Sequence, residues 1–183
     1  AGSGVGADAQ ATAVILNKEL GLSHGKVAHV FEKVFGIALS RGGSAQVIER
    51  AARKLQPAYQ AIVKTVARSR KTAWDETGWK VGGILWWMHV CVALRATLYR
   101  IDPGRGREVA EAVLGAGYTG AMGHDGWKPY DFFEKARHQQ CLSHLLNRCG
   151  NLLLEATRGA VRFPRKTKMI LQDALSLRDR RDE

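Results

Sequence analysis

The sequence lacks the features of a secreted or membrane-spanning protein. Its 183 residues include only three cysteines, Cys91, Cys141 and Cys149, an odd number without the spacing of a disulfide framework. No apolar run approaches the roughly 20 residues that cross a bilayer. The first ten residues, AGSGVGADAQ, have neither the basic start nor the apolar centre of a secretory signal. We therefore expect a cytoplasmic protein without membrane contact.

Acidic residues are scarce, and the excess of basic residues is uneven along the chain. The formal net charge is +11, from 28 Lys and Arg against 17 Asp and Glu. Residues 1–70 contribute +6, residues 71–155 only +1, and residues 156–183 +4. All five tryptophans lie in the nearly neutral middle. The basic flanks indicate a polyanionic partner such as nucleic acid, with ordinary solvated helix faces as the alternative.

Residues 1–70 have the periodicity of helices. A first helix is predicted from Ala7 to Leu20, and Ser23 and Gly36 suit the two ends of a second. Ser40 or Ser44 can cap a third helix, and Pro57 is expected to open or kink a fourth segment. Two helices joined by a short Gly- and Ser-containing turn, the second helix basic, resemble a helix-turn-helix, although plain bundles contain such pairs too.

From Lys71 the pattern changes to short aromatic or β-branched runs. We predict three antiparallel strands in TAWDETGWKV, ILWWMHVCVA and ATLYRID, then a helix over Glu108–Leu114. A fourth strand at 119–124, a helix at 129–134, a fifth strand at 138–142 and two further helices follow. Three strands, a helix and a fourth strand are the order of ribonuclease-H-like folds. The predicted fold class is α/β: such a mixed-sheet core at 71–145, a helical DNA-binding region at 1–70 and the start of a helical insertion at 146–183.

Asp75 in the first strand and Asp125 after the fourth are the candidate catalytic residues. In this strand order, strands one and four are neighbours at the sheet centre, so the two carboxylates are expected to face each other. Converging carboxylates stay ionised when a cation lies between them, and a pair of Mg²⁺ ions can activate a nucleophile on a phosphodiester. The alternative is structural: Asp75 starts a turn and Asp125 caps the next helix.

The residues around both aspartates resemble those of a known family. WDETGWKVGG, GHDGWKPY and RHQQCLSHLLNRC are similar to bacterial insertion-sequence DDE transposases of the type called insertion sequence sixty-six. The resemblance covers most of the chain, and DET followed by DGW is specific in that order. It implies DNA strand cleavage and transfer, with Asp75 and Asp125 as the first two members of an Asp-Asp-Glu triad that binds Mg²⁺ or Mn²⁺.

The resemblance also implies a third carboxylate in an Asn-x-x-x-Glu-Arg-like motif. No residue after Asp125 matches it, because Glu134 and Glu155 lack that context. We therefore expect a truncated, nucleoid-associated transposase that acts on transposon ends and target DNA and forms homo-oligomers when full length. The alternatives are a non-catalytic DNA-binding relic or regulator, and a nuclease of the same fold that acts on RNA or hybrids.

The candidate nucleic-acid contacts are one aromatic residue and two basic clusters. Trp127, next to Asp125, can stack on a base, with core packing as the alternative. The basic clusters are Arg41, Arg50, Arg53 and Lys54 in the helical region, and Arg158, Arg162, Arg165, Lys166 and Lys168 near the end. Each of these residues alone is more simply a solvated side chain.

Cysteines and histidines occur together after the second aspartate. His138, Cys141, His144 and Cys149 have zinc-ligand chemistry, but Cys141 and Cys149 fall in apolar patterns that favour core packing. The role of Cys141 and His144 is left open.

Overall fold

The computed structural model describes residues 5–155 and 161–181, which separate into two compact units with the boundary between Ala61 and Ile62. The first unit is helical. Its elements are α1 (Ala7–Val14), continued by a π-helical turn (Ile15–Glu19), α2 (His24–Phe35) and most of α3 (Arg41–Ala67). The predicted helical character of this region is confirmed.

The ends of α2 and the start of α3 follow from capping chemistry. The Ser23 side chain accepts a hydrogen bond from the Lys26 amide, and Gly36 ends α2 in the left-handed conformation at φ 65°. Of the two serines offered for α3, Ser40 caps it, because its Oγ accepts from the Gly43 amide at 2.9 Å. Ser44 is instead buried, and its hydroxyl lies 3.1 Å from His24 Nδ1.

The core of the first unit is small and apolar. Its four buried residues are each at most 1% exposed: Ala13 from α1, Val27 and Phe31 from α2, and Val47 from α3. Val27 and Phe31 are four positions apart, so they lie on one face of α2. One apolar stripe from each helix thus forms this core.

The predicted opening of a fourth helix at Pro57 is wrong, because α3 continues through it as one helix of 27 residues. Proline removes one intrahelical hydrogen bond and opposes the carbonyl of the residue four positions earlier, here Arg53. Both Pro57 and Arg53 are exposed, so water can satisfy that carbonyl. The flanking Ala, Lys, Leu and Gln residues are good helix formers that support continuation.

The second unit is built on a five-stranded mixed sheet. Strands β1, β2 and β3 pair antiparallel, whereas β4 is parallel to β1 and β5 is parallel to β4. The order across the sheet is β3-β2-β1-β4-β5, so β1 is central with β4 beside it. This is the ribonuclease-H-like arrangement, and the prediction of that fold class is confirmed. The strands are β1 (Lys71–Val81), β2 (Ile84–Ala93), β3 (Thr97–Asp102), β4 (Ala121–His124) and β5 (Arg137–Gln140).

The hairpin between β1 and β2 turns on the glycine pair that ends WDETGWKVGG. Gly82 and Gly83 have φ values of 57° and 84°, the left-handed conformations that a two-residue hairpin turn requires. Val81 and Ile84 pair on either side of the turn, so the register of the whole hairpin is set there.

The two faces of the sheet differ in burial. Thr72 and Trp74 of β1 and Met122 and His124 of β4 are buried, whereas Ala73 and Asp75 on the alternate face are exposed. This alternation is the two-residue period of a strand.

Helices follow the strands at three points along the chain. Helix α4 (Glu108–Leu114) lies where it was predicted and buries Val109, Ala110 and Val113. The helix predicted at 129–134 is a 3₁₀ turn (Lys128–Phe132), and the fifth strand ends at Gln140 because α5 (Leu142–Glu155) begins at once. Helix α6 (Arg162–Arg181) ends the described chain. None of the helices in residues 5–155 and 161–181 has the length and apolarity needed to cross a bilayer.

Replacing Pro57 tests the continuity of α3. Because Ala restores the missing hydrogen bond, Pro57→Ala should stabilise the helix by about 2 kcal/mol, the roughly 3 kcal/mol helix preference less the entropy regained by the unfolded chain. Chemical denaturation followed by circular dichroism at 222 nm measures this. Gln56→Ala, an exposed neighbour, is the control and should change stability by less than about 0.5 kcal/mol. A destabilised Pro57→Ala variant would contradict a continuous helix.

Candidate active site

The parallel pairing of β1 and β4 sets the relative position of the two aspartates. Lys71 pairs with Ala121, Thr72 with Met122 and Ala73 with Gly123, a constant offset of 50 residues. The same offset brings Asp75 level with Asp125, which follows the last residue of β4. Asp125 therefore lies just past the end of β4, and Asp75 lies beside it where the pairing of β1 with β4 ends, although β1 itself continues to Val81. The carboxyl end of a parallel strand pair is where open α/β sheets place their ligand sites.

Each aspartate accepts one local hydrogen bond. Asp75 Oδ1 accepts from the Glu76 amide at 2.9 Å, and Asp125 Oδ1 accepts from the Trp127 amide at 2.7 Å. The second of these closes a turn at Gly126, whose φ is 87°. Asp125 thus closes a local turn and does not cap the following 3₁₀ helix, whose N-cap residue is Trp127. Its other oxygen, Oδ2, makes no hydrogen bond to the described residues, and its nearest cation is Arg105 Nη2 at 3.9 Å.

Glu76, the second acid of the opening pair, serves a different purpose from Asp75. Its side chain is 1% exposed and points to the buried face of the sheet. It accepts hydrogen bonds at 2.9 Å from both Arg105 Nε and the Tyr130 hydroxyl. A buried carboxylate is stable when it has a charged partner and further hydrogen bonds, and Glu76 has both. Burial, then the nearby Glu76 charge, raise the pKa of Tyr130 above its usual range, so this hydroxyl remains a donor.

Arg105 links the two strands at the candidate site. Its guanidinium lies between two indole rings, 4.8 Å from the Trp87 centroid and 4.3 Å from the Trp127 centroid. It binds Glu76 on β1 and approaches Asp125 after β4. Arg105 therefore fixes the Asp125–Trp127 turn against the central strand.

Two histidines form a second support beneath the turn. His124 Nδ1 accepts from the Gly126 amide at 3.1 Å, which leaves Nε2 to donate to His138 Nδ1 at 3.0 Å. His138 Nε2 in turn donates to the Phe133 carbonyl at 3.0 Å. Each hydrogen bond fixes which nitrogen of the next ring carries the proton, and the series needs only one ring proton on each histidine. Burial, reinforced by the neighbouring His138, lowers the pKa of His124 below its usual 6.5.

Comparison with known proteins identifies the family. The Transposase IS66 family matches residues 2–157. The chain belongs to the IS66 transposase family. No curated protein matches it.

Two solved structures show a distant likeness to this IS66-family chain. One is a simian T-cell lymphotropic virus intasome in complex with PP2A regulatory subunit B56 gamma, with 15% identity, a TM-score of 0.32, and coverage of 52% of this chain and 47% of that one. The other is the HTLV-2 integrase catalytic core domain in complex with magnesium, with 15% identity, a TM-score of 0.31, and coverage of 55% and 83%. The IS66-family chain thus spans less than half of the intasome chain.

Trp127 is the predicted DNA-contact residue nearest to the aspartates. It is 38% exposed, follows the Asp125 turn and stacks one face on Arg105. In the second cluster, Arg162, Arg165 and Lys166 line a common cavity on α6, whereas Lys168 does not. Arg158 lies outside the described residues.

In the helical unit of the IS66-family chain, the predicted basic residues have separate surroundings. Arg41 lines a cavity with Ser23, His24, Lys26 and His29. Arg53 forms an exposed ion pair with Glu49 one turn away, at 2.5 Å. Lys54 is exposed and Arg50 half-buried. Their contact with DNA stays a prediction.

Cys141 and His144 lie beside the aspartates, at the start of α5. The core interpretation is right for Cys149, which is buried, and wrong for Cys141, which is half-buried and precedes α5. The backbone amide of His144 lowers the pKa of the Cys141 thiol, and the hydrogen bond with Cys141 raises the pKa of His144, with Asp75 and Asp125 adding to that rise. Among the residues described, no three His, Cys, Asp or Glu side chains form a group able to hold a metal.

Glu76, Arg105, Tyr130 and the histidine pair were missed by sequence reasoning. For Glu76 a signal existed, because consecutive strand residues point to opposite faces and Asp75 and Glu76 must therefore differ in burial. For Arg105 no such signal existed. The sequence shows only a turn, DPGRGR, in which nothing distinguishes Arg105 from Arg107.

Removing Arg105 should destabilise the sheet unit. Arg105→Ala leaves the buried Glu76 carboxylate without its cation, which costs on the order of 3 kcal/mol, the low end for broken buried pairs because Arg105 is itself one-third exposed. Denaturation followed by tryptophan fluorescence reports this, since all five tryptophans lie between residues 74 and 127.

Arg107→Ala is the matched control for Arg105→Ala. Arg107 belongs to the same loop, but its pair with Glu111 is 3.9 Å long and exposed, and its other contact is with the Phe132 ring at 3.9 Å. Each such contact at an exposed site contributes about 1 kcal/mol or less, so the loss should stay below that for Arg105→Ala. Equal losses of stability in the two variants would contradict the prediction that the pair of Arg105 with the buried Glu76 contributes more than an exposed pair.

The histidine pair should make the stability of the sheet unit depend on pH. Because the folded pKa of His124 lies below the unfolded value of 6.5, the unfolded chain binds more protons as the pH falls. The contribution is complete above pH 6.5 and is lost as the pH falls through the folded pKa. Because the raised pKa of His144 acts in the opposite direction, the test is a comparison of variants. On going from pH 7.5 to 5.5, the fluorescence-detected melting temperature of the parent should fall further, or rise less, than that of His124→Asn. His29→Asn, at an exposed histidine of the first unit, should follow the parent.

Proposed function

We propose that this chain carries two of the metal-binding carboxylates of a DNA transposase that cleaves and joins strands at the ends of an insertion sequence. The observation that carries the proposal is the level position of Asp75 and Asp125 on adjacent central strands, where the pairing of β1 with β4 ends, in a chain of the IS66 transposase family. Two neighbouring carboxylates support this function because phosphodiester chemistry with divalent metal ions uses such ligands.

The donor set suits Mg²⁺ or Mn²⁺. Asp75 and Asp125 offer carboxylate oxygens, the ligands that hard divalent cations prefer, and Asp125 Oδ2 accepts no hydrogen bond from the described residues. A divalent ion bound there would activate a water or a 3′-hydroxyl and stabilise the leaving oxygen of the phosphodiester. Arg105 and the Trp127 amide orient Asp125, and the Glu76 amide orients Asp75.

DNA is the proposed substrate and partner. The net charge of +11 favours binding to a polyanion, and Trp127 offers an exposed ring next to Asp125 for stacking on a base. We extend the proposal to the basic residues of the region 1–70, as a helical DNA-binding segment, and to the α6 cluster. Assembly into homo-oligomers and action in the nucleoid belong to the same proposal.

A second function is favoured by one observation. Within the described part of the chain, no third acidic side chain joins Asp75 and Asp125 in a metal-holding group. A protein that binds transposon ends without cutting them, as a regulator or relic, would need no such group. Cleavage assays separate the two functions.

Asp75→Asn and Asp125→Asn test the proposed metal site. In the natural full-length protein, each change should lower Mn²⁺-dependent nicking of insertion-sequence ends by more than about 100-fold, since even changes that only orient a ligand cost 10–100-fold. Each should also weaken Mn²⁺ binding measured by electron paramagnetic resonance in the absence of DNA. DNA affinity measured in EDTA should be nearly unchanged.

Asp173→Asn, the same chemical change at an exposed position on α6, is the control and should keep full nicking and Mn²⁺ binding. Parental nicking by either active-site variant would overturn the assignment. Specific end binding by a parent that never nicks would favour the non-catalytic function.

A further inference from the structure

A basic cavity lies at the opposite end of the β1–β4 pair from the aspartates. It has a volume of about 420 Å³ and is formed by the residues before β1, the loop before β4 and the start of β5. Arg68, Arg70 and Arg137 line it, together with Ser69 and Thr119, and no acidic residue does. Because β1, β4 and β5 are parallel, their first residues meet at this edge, and the cavity follows from the same topology as the candidate active site.

The three arginines have no counter-charge among the residues that the structure describes. Arg68, Arg70 and Arg137 are all exposed, and none takes part in an ion pair or a side-chain hydrogen bond with any residue in 5–155 or 161–181. By contrast, Arg100, Arg105 and Arg107 in the same unit are paired with carboxylates. Three like charges around one cavity repel each other, and a bound anion relieves that repulsion.

The walls of the cavity are held by backbone hydrogen bonds. The Ala121 amide donates to the Arg70 carbonyl at 2.8 Å, and the Arg137 amide donates to the Gly120 carbonyl at 2.9 Å. The Tyr118 hydroxyl donates to the Ser69 carbonyl at 3.0 Å. The arginines therefore project from fixed backbone positions, so a ligand would not have to order the chain before binding.

Gly120 shows how closely these segments approach one another. A Cβ at this position would lie 2.9 Å from the Arg70 carbonyl oxygen and would also collide with the Tyr118 hydroxyl. The amides of Thr119 and Gly120 make no backbone hydrogen bond to the described residues, so the cavity lining retains N–H donors beside the guanidinium groups. Guanidinium groups combined with unpaired backbone amides are the chemistry that binds phosphate.

We propose that this cavity binds one phosphate of the DNA backbone, away from the phosphate that is cleaved. The inference rests on the proposed function and adds to it a second anchor for the same DNA. Arg70 and Asp75 are five residues apart along β1, which corresponds to roughly 17 Å at about 3.3–3.4 Å per residue. A duplex lying along this direction advances 3.4 Å per step, so the anchored phosphate would lie about five steps from the scissile one.

The salt dependence of DNA binding distinguishes one bound phosphate from three separate contacts. Each neutralised phosphate contributes about 0.9 to the slope of log K against log salt concentration for duplex DNA. The variant Arg68→Gln/Arg70→Gln/Arg137→Gln should therefore reduce the slope by about 0.9, because all three arginines serve one phosphate. Fluorescence anisotropy with a short duplex, in EDTA so that no cleavage occurs, measures the slope.

The control removes the same charge elsewhere in the second unit. Lys80→Gln/Lys135→Gln/Arg180→Gln changes three basic residues that do not line the cavity and should leave the slope unchanged. An unchanged slope in the arginine variant, an equal fall in the control, or a fall of about 2.7 from three independent contacts would each overturn the single-phosphate site.

The experiment also separates this inference from the proposed function. If the parent protein fails to bind DNA at any salt concentration, the proposed function fails, and the phosphate anchor with it. If the parent binds DNA and the arginine variant keeps its slope, only the phosphate anchor fails. Because the arginines are exposed, the variant should fold, and its tryptophan fluorescence spectrum should match that of the parent.

Discussion

The parallel pairing of β1 with β4 is the constraint on which the functional geometry of the second unit depends. Its hydrogen bonds fix an offset of 50 residues, and this offset makes Asp75 and Asp125 neighbours although the chain between them forms two strands and a helix. A slip of one residue would turn each side chain of β4 to the opposite face, burying Gly123 and exposing Met122 and His124. Burial of those two side chains therefore also protects the register that positions the aspartates.

The adjacent acids of WDETGWKVGG show how one strand supplies two environments. Asp75 faces the exposed side of the sheet, where a carboxylate can keep its charge and meet a ligand, whereas Glu76 enters the interior and requires Arg105 and Tyr130. The two acids of this core strand therefore have different roles. Under the proposed function one acid is available for chemistry, and the other secures the loop that carries Arg105.

Local patterns predicted the elements of the fold well, and their failures have physical causes. The three antiparallel strands, Glu108–Leu114 and the caps at Ser23 and Gly36 follow from periodicity and from turn and capping chemistry, which nearby residues determine. Pro57 was misread because its cost depends on whether water reaches the Arg53 carbonyl, which is a property of the folded surface. Parallel pairing of β1 with β4 confirms that Asp75 and Asp125 are level with each other, whereas their role as metal ligands stays a prediction drawn from spacing and family resemblance. The partner of Glu76 could not be predicted, because Arg105 lies 29 residues away in a loop whose path only the folded chain defines.

The position of Arg105 is set by the buried acid of β1 and not by the acid that follows β4. Two carboxylates, Glu76 and Asp125, lie near one guanidinium, which makes a 2.9 Å bond to Glu76 and stays 3.9 Å from Asp125. If Glu76 were absent, Arg105 could close on Asp125 and neutralise it as an ordinary ion pair. With Glu76 present, its bond holds Arg105 at 3.9 Å from Asp125, and Asp125 Oδ2 accepts no hydrogen bond from the described residues. Under the function proposed above, this oxygen is open to a divalent ion because Glu76, and not Asp125, is the close partner of Arg105.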